Sequence, residues 1–370
     1  MQSYLVVIKE AFLFFPIVAI IFTLPYVIYN FRKYGSALWL RSLIVYSFIL
    51  YLICISFLVV LPLPSKEYVS KLTSPRAQLI PFTFIKDMIK EASLSNTSGI
   101  LAYINNPALF QFIFNILMLL PFGIYLHYYF ECSFKQTVLF SFLLSLFFEI
   151  TQLTGLFFIY PRGYRLFDVD DLLANTLGGL IGYYVAILVS RFLPTRKEID
   201  TESYKKGQSI SLLRRTISYV YDLILCSLLS IILDKLLLML SVSIPYLTEI
   251  IVLAYSIILP TIKKGQTYGM RITKIKIISD TDEPVRFFQL VIRTILFYLY
   301  LIALPYIFTL ALYHLNAMNV IGLTVYIIIE MIFFGCFLFS ILVLFIHMIM
   351  RKPVFYEKLS STKYKSTIEI

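Results

Sequence analysis

Charge is scarce in this chain. Asp, Glu, Lys and Arg make up 14% of its 370 residues against 59% hydrophobic, and the mean hydropathy is +0.84. That scarcity excludes a water-soluble domain of this length. Cysteine is also sparse: Cys54, Cys132, Cys226 and Cys336 share no metal-ligand spacing and mostly fall inside apolar runs, which excludes a disulfide framework and a zinc site. The histidines, His127, His314 and His347, form no metal-binding or catalytic pattern. No internal repeat links the halves of the chain, and no pair of inverted, interrupted spans of the transporter kind occurs.

Long apolar runs are abundant instead. A transmembrane helix needs roughly 20 apolar residues, and about nine windows qualify, near 11–29, 38–62, 109–127, 137–160, 171–193, 216–239, 244–262, 287–312 and 320–349. The first, "AFLFFPIVAIIFTLPYVIY" from Ala11, is too long for a signal-peptide core and has no small-residue cleavage site, so it reads as a retained helix. The expected fold is an all-α polytopic membrane protein of about nine helices in two modules.

The net charge of +11 does not point to nucleic acid, because the basic residues sit in short loops beside apolar runs and form no stripe. If the N-terminus is outside, the clusters at Arg32 and Lys33, at 196–215, at 263–276 and after Arg351 all fall inside, while the loops near 240–244 and 313–319 carry no Lys or Arg. Segment 63–108, with five basic residues over a greater length, weakens this orientation without reversing it. The expectation is a multi-pass protein of the cell membrane with an outer N-terminus and a cytoplasmic C-terminus.

Composition divides the chain near residue 200. Residues 1–37 hold the first helix and a basic loop, 38–193 a first membrane domain, 194–213 a polar cytoplasmic linker, 214–350 a second membrane domain and 351–370 a basic cytoplasmic tail. Within the second domain, "MRITKIKIIS" from Met270 alternates and is followed by "DTDEP", which predicts a small cytoplasmic β-hairpin.

The segment "PRGYRLFDVDD", 161–171, places two arginines and three aspartates at a membrane border. Asp168, Asp171, Asn175, Gly178 and Gly182 recur at spacings of 3, 4, 3 and 4, on one helical face. Gly178 and Gly182 permit close approach of a neighbouring helix. Glu149 and Gln152 lie one turn apart in "FFEITQLTG", and Asn115 sits about 9 Å into its span at helical rise. Intramembrane polar groups are expensive in lipid, so one shared pocket of Asn115, Glu149, Gln152, Arg165, Asp168, Asp170, Asp171 and Asn175 is the economical expectation. Asp168 and Asp171 are candidate ligands for a divalent cation. A plainer reading has Asp168 or Asp170 capping the helix and Arg162 and Arg165 meeting lipid phosphates.

"QLIPFTFI" (78–85), "FNILMLLPFG" (114–123), "EITQ" (149–152) and "RLFDVDDLLANTLGGLIGY" (165–183) resemble the VanZ-like family, named after a teicoplanin-resistance protein. The resemblance spans roughly residues 40–193. It implies that Asn115, Glu149, Gln152, Arg165, Asp168, Asp171 and Asn175 occupy the family's characteristic polar positions, and it implies no reaction. Gln78 departs from the asparagine that relatives often carry. In the second half, "RRTISYVYDLIL", "GQTYGMRITKIKI" and "QLVIRTILF" resemble the RDD family, named for an arginine and two aspartates. Arg215 and Asp222 match the first two positions and form a candidate polar pair, with Arg293 or a polar neighbour as other partners for Asp222; Asp234 and Asp280 both remain open for the third.

Three functions are compatible with these residues. A non-catalytic resistance factor would bind membrane lipids, a lipid-linked peptidoglycan precursor or a lipoglycopeptide at the outer face, and the resemblance favours it. An enzyme on polyprenyl-phosphate lipids would hold Mg²⁺ on the acidic cluster, although no activated nucleophile accompanies it. An ion-coupled transporter would use Glu149 and Asp222 as coupling sites.

Overall fold

The computed structural model describes residues 2–94 and 106–368. The chain folds into two compact units, Met1–Thr23 with Trp39–Asp200, and Leu24–Leu38 with Thr201–Ile370. Helix α1, Gln2–Tyr34, runs through the first boundary.

The first unit contains α2 (Trp39–Val60), the short α3 (Lys66–Ser70), α4 (Thr83–Leu94), α5 (Pro107–Tyr128), α6 (Phe134–Leu153), α7 (Gly155–Phe158) and α8 (Val169–Val189). Local chemistry sets the helix starts. Asn106 caps α5 by accepting the Ala108 amide at 2.9 Å, with Pro107 in the first turn, where its missing N–H removes no helical bond. Ser133 and Gln136 exchange hydrogen bonds as a capping box at α6. Asp168 caps α8 through the Asp170 amide at 2.9 Å. Two short strands, β1 (Ala77–Gln78) and β2 (Phe167–Asp168), pair in parallel beside that cap.

The apolar core of this unit joins Ile55 and Val59 of α2, Leu119, Phe122 and Leu126 of α5, and Phe148 of α6. Helices α5 and α8 meet backbone to backbone. A Cβ on Gly178 would lie 2.1 Å from the Ile116 carbonyl oxygen, and one on Gly182 the same distance from that of Leu120. The small-residue face read from the sequence is therefore a packing face. The fourth span, expected over 137–160, stops at Leu153. The chain then turns through positive φ at Gly155, Leu156, Phe157 and Phe158, and Gly155 packs on the Arg162 carbonyl where a Cβ would lie only 2.4 Å away.

Helix α9 (Arg196–Gln208) occupies most of the segment expected as an irregular linker. It is mostly polar, buries Ile199 and Ser203 one turn apart on one face, and carries local pairs: Thr195 and Glu198 exchange hydrogen bonds at its start, and Arg196–Asp200 and Lys206–Glu202 form ion pairs one turn apart. Polarity had concealed the helix.

The second unit contains α10 (Leu212–Met239), α11 (Leu247–Ile262), α12 (Tyr268–Ile272), α13 (Phe287–Tyr298), a π-helical turn at Leu299–Ala303, α14 (Leu304–Ala317), α15 (Leu323–Ile349) and α16 (Phe355–Leu359). The expected hairpin is replaced by a longer-range pairing. Strand β3 (Ile275–Ser279) runs antiparallel to β4 (Thr362–Ser366), with Ile277 opposite Tyr364. Met270–Ile272 is helical, and the return over "DTDEP" makes only a single bridge, Ile278 to Pro284. The C-terminal segment read as a basic tail thus supplies a helix and a strand.

Seven helices among the described residues are long and apolar enough to cross a membrane: Val7–Tyr34, Trp39–Val60, Pro107–Tyr128, Phe134–Leu153, Val169–Val189, Phe287–Ala317 and Leu323–Ile349. The other two expected spans are helical, but α10 carries five charged residues and α11 has only 16 residues. The chain is an all-α polytopic membrane protein, with strands only as small pairs.

Candidate functional site

In the first unit a cavity of about 880 Å³ opens between α5, α6, α8 and the end of α2. Asn115, Glu149, Gln152, Arg165, Asp168, Asp171 and Asn175 all line it, together with Gln111. Asn115 and Gln111 lie one turn apart on α5, Glu149 and Gln152 one turn apart on α6, and Asp171 and Asn175 one turn apart on α8. Three polar helix faces therefore converge, with Leu58 and Val59 of α2 forming an apolar wall.

The hydrogen bonds fix this geometry. Asn115 Nδ2 donates to Asp171 Oδ1, joining α5 to α8. Asn175 Nδ2 donates to Ser145 Oγ at 3.0 Å, joining α8 to α6. Glu149 Oε2 accepts the Asp168 backbone N–H at 3.0 Å, and Gln152 Nε2 donates to the Val59 carbonyl at 3.2 Å. Arg165 lies across the end of α2, donating to the Leu58 and Leu61 carbonyls at 3.4 and 2.7 Å, where the helix end concentrates negative potential.

After these bonds the cavity is rich in acceptors. Glu149, Asp168 and Asp171 place three carboxylates against one guanidinium, and Asn175 Oδ1 is buried with no hydrogen-bond partner among the described residues. Burial pushes the Asp168 carboxyl above the ordinary aspartate range, opposed by the Asp170 amide that it accepts and reinforced by the nearby Asp170 and Asp87 charges.

Two expectations need correction. Asp170 does not line the cavity; it is buried and accepts the Phe82 and Phe84 amides at 2.6 and 2.8 Å, fixing the start of α4. At successive positions Asp170 and Asp171 point about 100° apart on α8, so only one faces the cavity. Arg162 is not a phosphate anchor: its guanidinium donates to the carbonyls of Leu72 and Ser74. Gln78 spends both ends of its amide on Ile80, and lines a separate hollow of about 500 Å³ that shares Arg165 and Leu166 with the main cavity. No group of three or more His, Cys, Asp or Glu suited to a metal ion occurs among the described residues.

Gln111 and Ser145 escaped the sequence reading. A signal existed for both, since Gln111 precedes Asn115 by four residues and Ser145 belongs to a buried stripe, Thr137, Ser141, Ser145, Glu149, at fourfold spacing. Single hydroxyls and amides in apolar runs stand out less than carboxylates.

The second unit rearranges the expected Arg215–Asp222 pair. Asp222 accepts the Tyr255 and Thr267 hydroxyls at 2.6 and 2.5 Å and the Gly269 amide at 2.7 Å. Arg215 instead meets Glu357 at 3.0 Å, a carboxylate it shares with Arg293 at 3.3 Å. The neighbouring Arg214 is fully buried and donates to the carbonyls of Gly207, Thr273 and Lys274. Asp234 and Asp280 are both exposed, and the acid that joins the arginines comes from the C-terminal segment. Sequence missed Glu357 because nothing local marks a residue 142 positions away as a partner.

Comparison with known families agrees with this division. Residues 48–190 match the VanZ/LLP1 family model and residues 210–352 match that of the RDD family. No curated protein and no solved structure matches the chain. The chain therefore joins a VanZ-like membrane domain in its N-terminal half to an RDD-family domain in its C-terminal half.

Proposed function

We propose that the VanZ-like domain binds the polar head of an amphiphile at the outer face of the cell membrane, without catalysis, and so acts in resistance to teicoplanin-type lipoglycopeptides. The ligand is a lipid-linked cell-wall precursor or the drug that approaches it. The observation that carries this reading is the acceptor excess of the cavity, which suits sugar hydroxyls, amide N–H groups or an ammonium. A phosphate is less well matched, because Arg165 already directs both terminal nitrogens to the Leu58 and Leu61 carbonyls. The proposed orientation puts the N-terminus outside and the cavity at the outer leaflet, in keeping with the basic inner loops.

The test compares wild type with Glu149→Gln and Asp171→Asn in cells and as purified protein. Both variants keep the shape of the side chain while removing its charge. The expected result is about tenfold weaker binding of a lipid-linked disaccharide-peptide or a lipoglycopeptide, with reduced drug tolerance at equal membrane abundance. Wild-type binding and tolerance in both variants would refute the reading.

A further inference from the structure

The RDD-family domain contains a second kind of cavity. It measures about 260 Å³ and is walled mainly by Phe297, Leu301, Ile341, Leu344, Phe345 and Met348, from α13, the π-helical turn and α15. Arg215 and Thr216 of α10 close one edge, and among the described residues that line it Arg215 alone is charged.

Several observations give this cavity a specific character. The π-helical turn departs from the regular ladder at the point where Tyr300 and Leu301 meet the cavity, and such turns commonly mark functional positions. The Tyr300 hydroxyl bonds Ser340 Oγ of α15, so the widened turn is held in place. Arg215 is fixed by Glu357 and lies over the Tyr364 ring at 4.6 Å, yet its Nε is buried with no hydrogen-bond partner among the described residues. A donor left in this state calls for an acceptor. Arg215 also shares Glu357 with Arg293, so one carboxylate serves two guanidinium groups. The nearby Asp222 does not offset this charge at the cavity, since its oxygens are engaged by Tyr255, Thr267 and Gly269 and it does not line the wall. Arg351 and Lys352 follow Met348 within about one turn and add positive charge at the same end of α15.

We infer that this cavity holds one acyl chain of an anionic phospholipid whose phosphate is bound by Arg215. The apolar wall takes the chain, and the cation at its edge selects the head, as basic pockets between membrane helices do for anionic lipids. The site is separate from the cavity of the VanZ-like domain and does not depend on what that domain binds.

The full-length protein in mild detergent, titrated with dioleoyl phosphatidylglycerol, dioleoyl phosphatidylcholine or glycerol phosphate, tests the assignment by native mass spectrometry and thermal unfolding. The expected result is one retained phosphatidylglycerol per chain, with a raised unfolding midpoint, and no comparable effect of the other two probes. Leu344→Trp fills the cavity without touching the ion cluster and should weaken retention about tenfold. Arg215→Lys keeps a charge opposite Glu357 but removes Nε, and should weaken it similarly. Equal retention of the two lipids, equal stabilisation by glycerol phosphate, or wild-type retention in either variant overturns the assignment.

Discussion

Glu149 of α6 accepts the backbone N–H of Asp168 at 3.0 Å, so an acid from one span fixes the residue that caps the next. The same carboxylate lines the main cavity. One side chain therefore both holds the start of α8 and faces the cavity, and substitutions can separate its charge from its hydrogen bond.

Glu149→Gln retains an acceptor oxygen for the Asp168 amide, whereas Glu149→Leu leaves that amide without a partner. The leucine variant is expected to lose about 1–3 kcal/mol relative to the glutamine variant. Thermal unfolding of the two proteins in the same detergent checks this; equal midpoints would show that the bond does not hold α8.

Gly178→Ala forces a methyl group against the Ile116 carbonyl, where the Cβ would lie 2.1 Å away. The loss should be about 1–3 kcal/mol as α8 moves off α5. At Gly335 in α15 a Cβ would meet nothing within 4 Å. Gly335→Ala should be neutral or stabilise by up to about 1 kcal/mol, and unfolding midpoints of the two variants should move in opposite directions or differ clearly.

Glu357→Ala leaves Arg293, itself buried, without its carboxylate. Breaking a buried pair from one side costs about 3–5 kcal/mol. Glu357→Gln should be milder, because its amide oxygen still accepts from a guanidinium. Limited proteolysis of the C-terminal segment measures the effect, and wild-type resistance in the alanine variant would place the cluster outside the stabilising core.

Asp282 links the turn after β3 to β4 through Lys363 and Lys365 at 3.0 and 3.2 Å, and these bonds hold its carboxyl below the ordinary aspartate range. A lowered folded-state value means that the contribution is present above the unfolded aspartate value of about 3.9 and fades as pH falls through the folded one. Amide protection factors in Thr362–Ser366 should therefore not change through Asp282 between pH 8 and 5, and should drop in stronger acid. Asp282→Asn should remove that acid-dependent part; the same drop in the variant would assign it to other groups.

The cavity was legible where periodicity carries the information. Asp171 and Asn175 share a face of α8 beside its cap Asp168, Glu149 and Gln152 share one of α6, and carboxylates and amides in apolar runs must turn away from lipid. Asp170 was misplaced because a cluster of acids in sequence says nothing about which member a distant amide will claim; Phe82 and Phe84 lie 88 and 86 residues away. The partners of Arg214 and Arg215 were hidden similarly, because only the fold brings Thr273 and Lys274 to the one and Glu357 to the other.

The amino-acid sequence alone determined the membrane class, the order of the apolar spans and the polar stripes of α5, α6 and α8, since hydropathy and the 3.6-residue period are local properties of the chain. Tertiary structure decided which polar groups meet: Asn115 with Asp171, Arg215 with Glu357, and β3 with β4. Those choices depend on bringing remote segments together in a low-dielectric interior, where each buried donor must find an acceptor and the winner is set by the packing of whole helices.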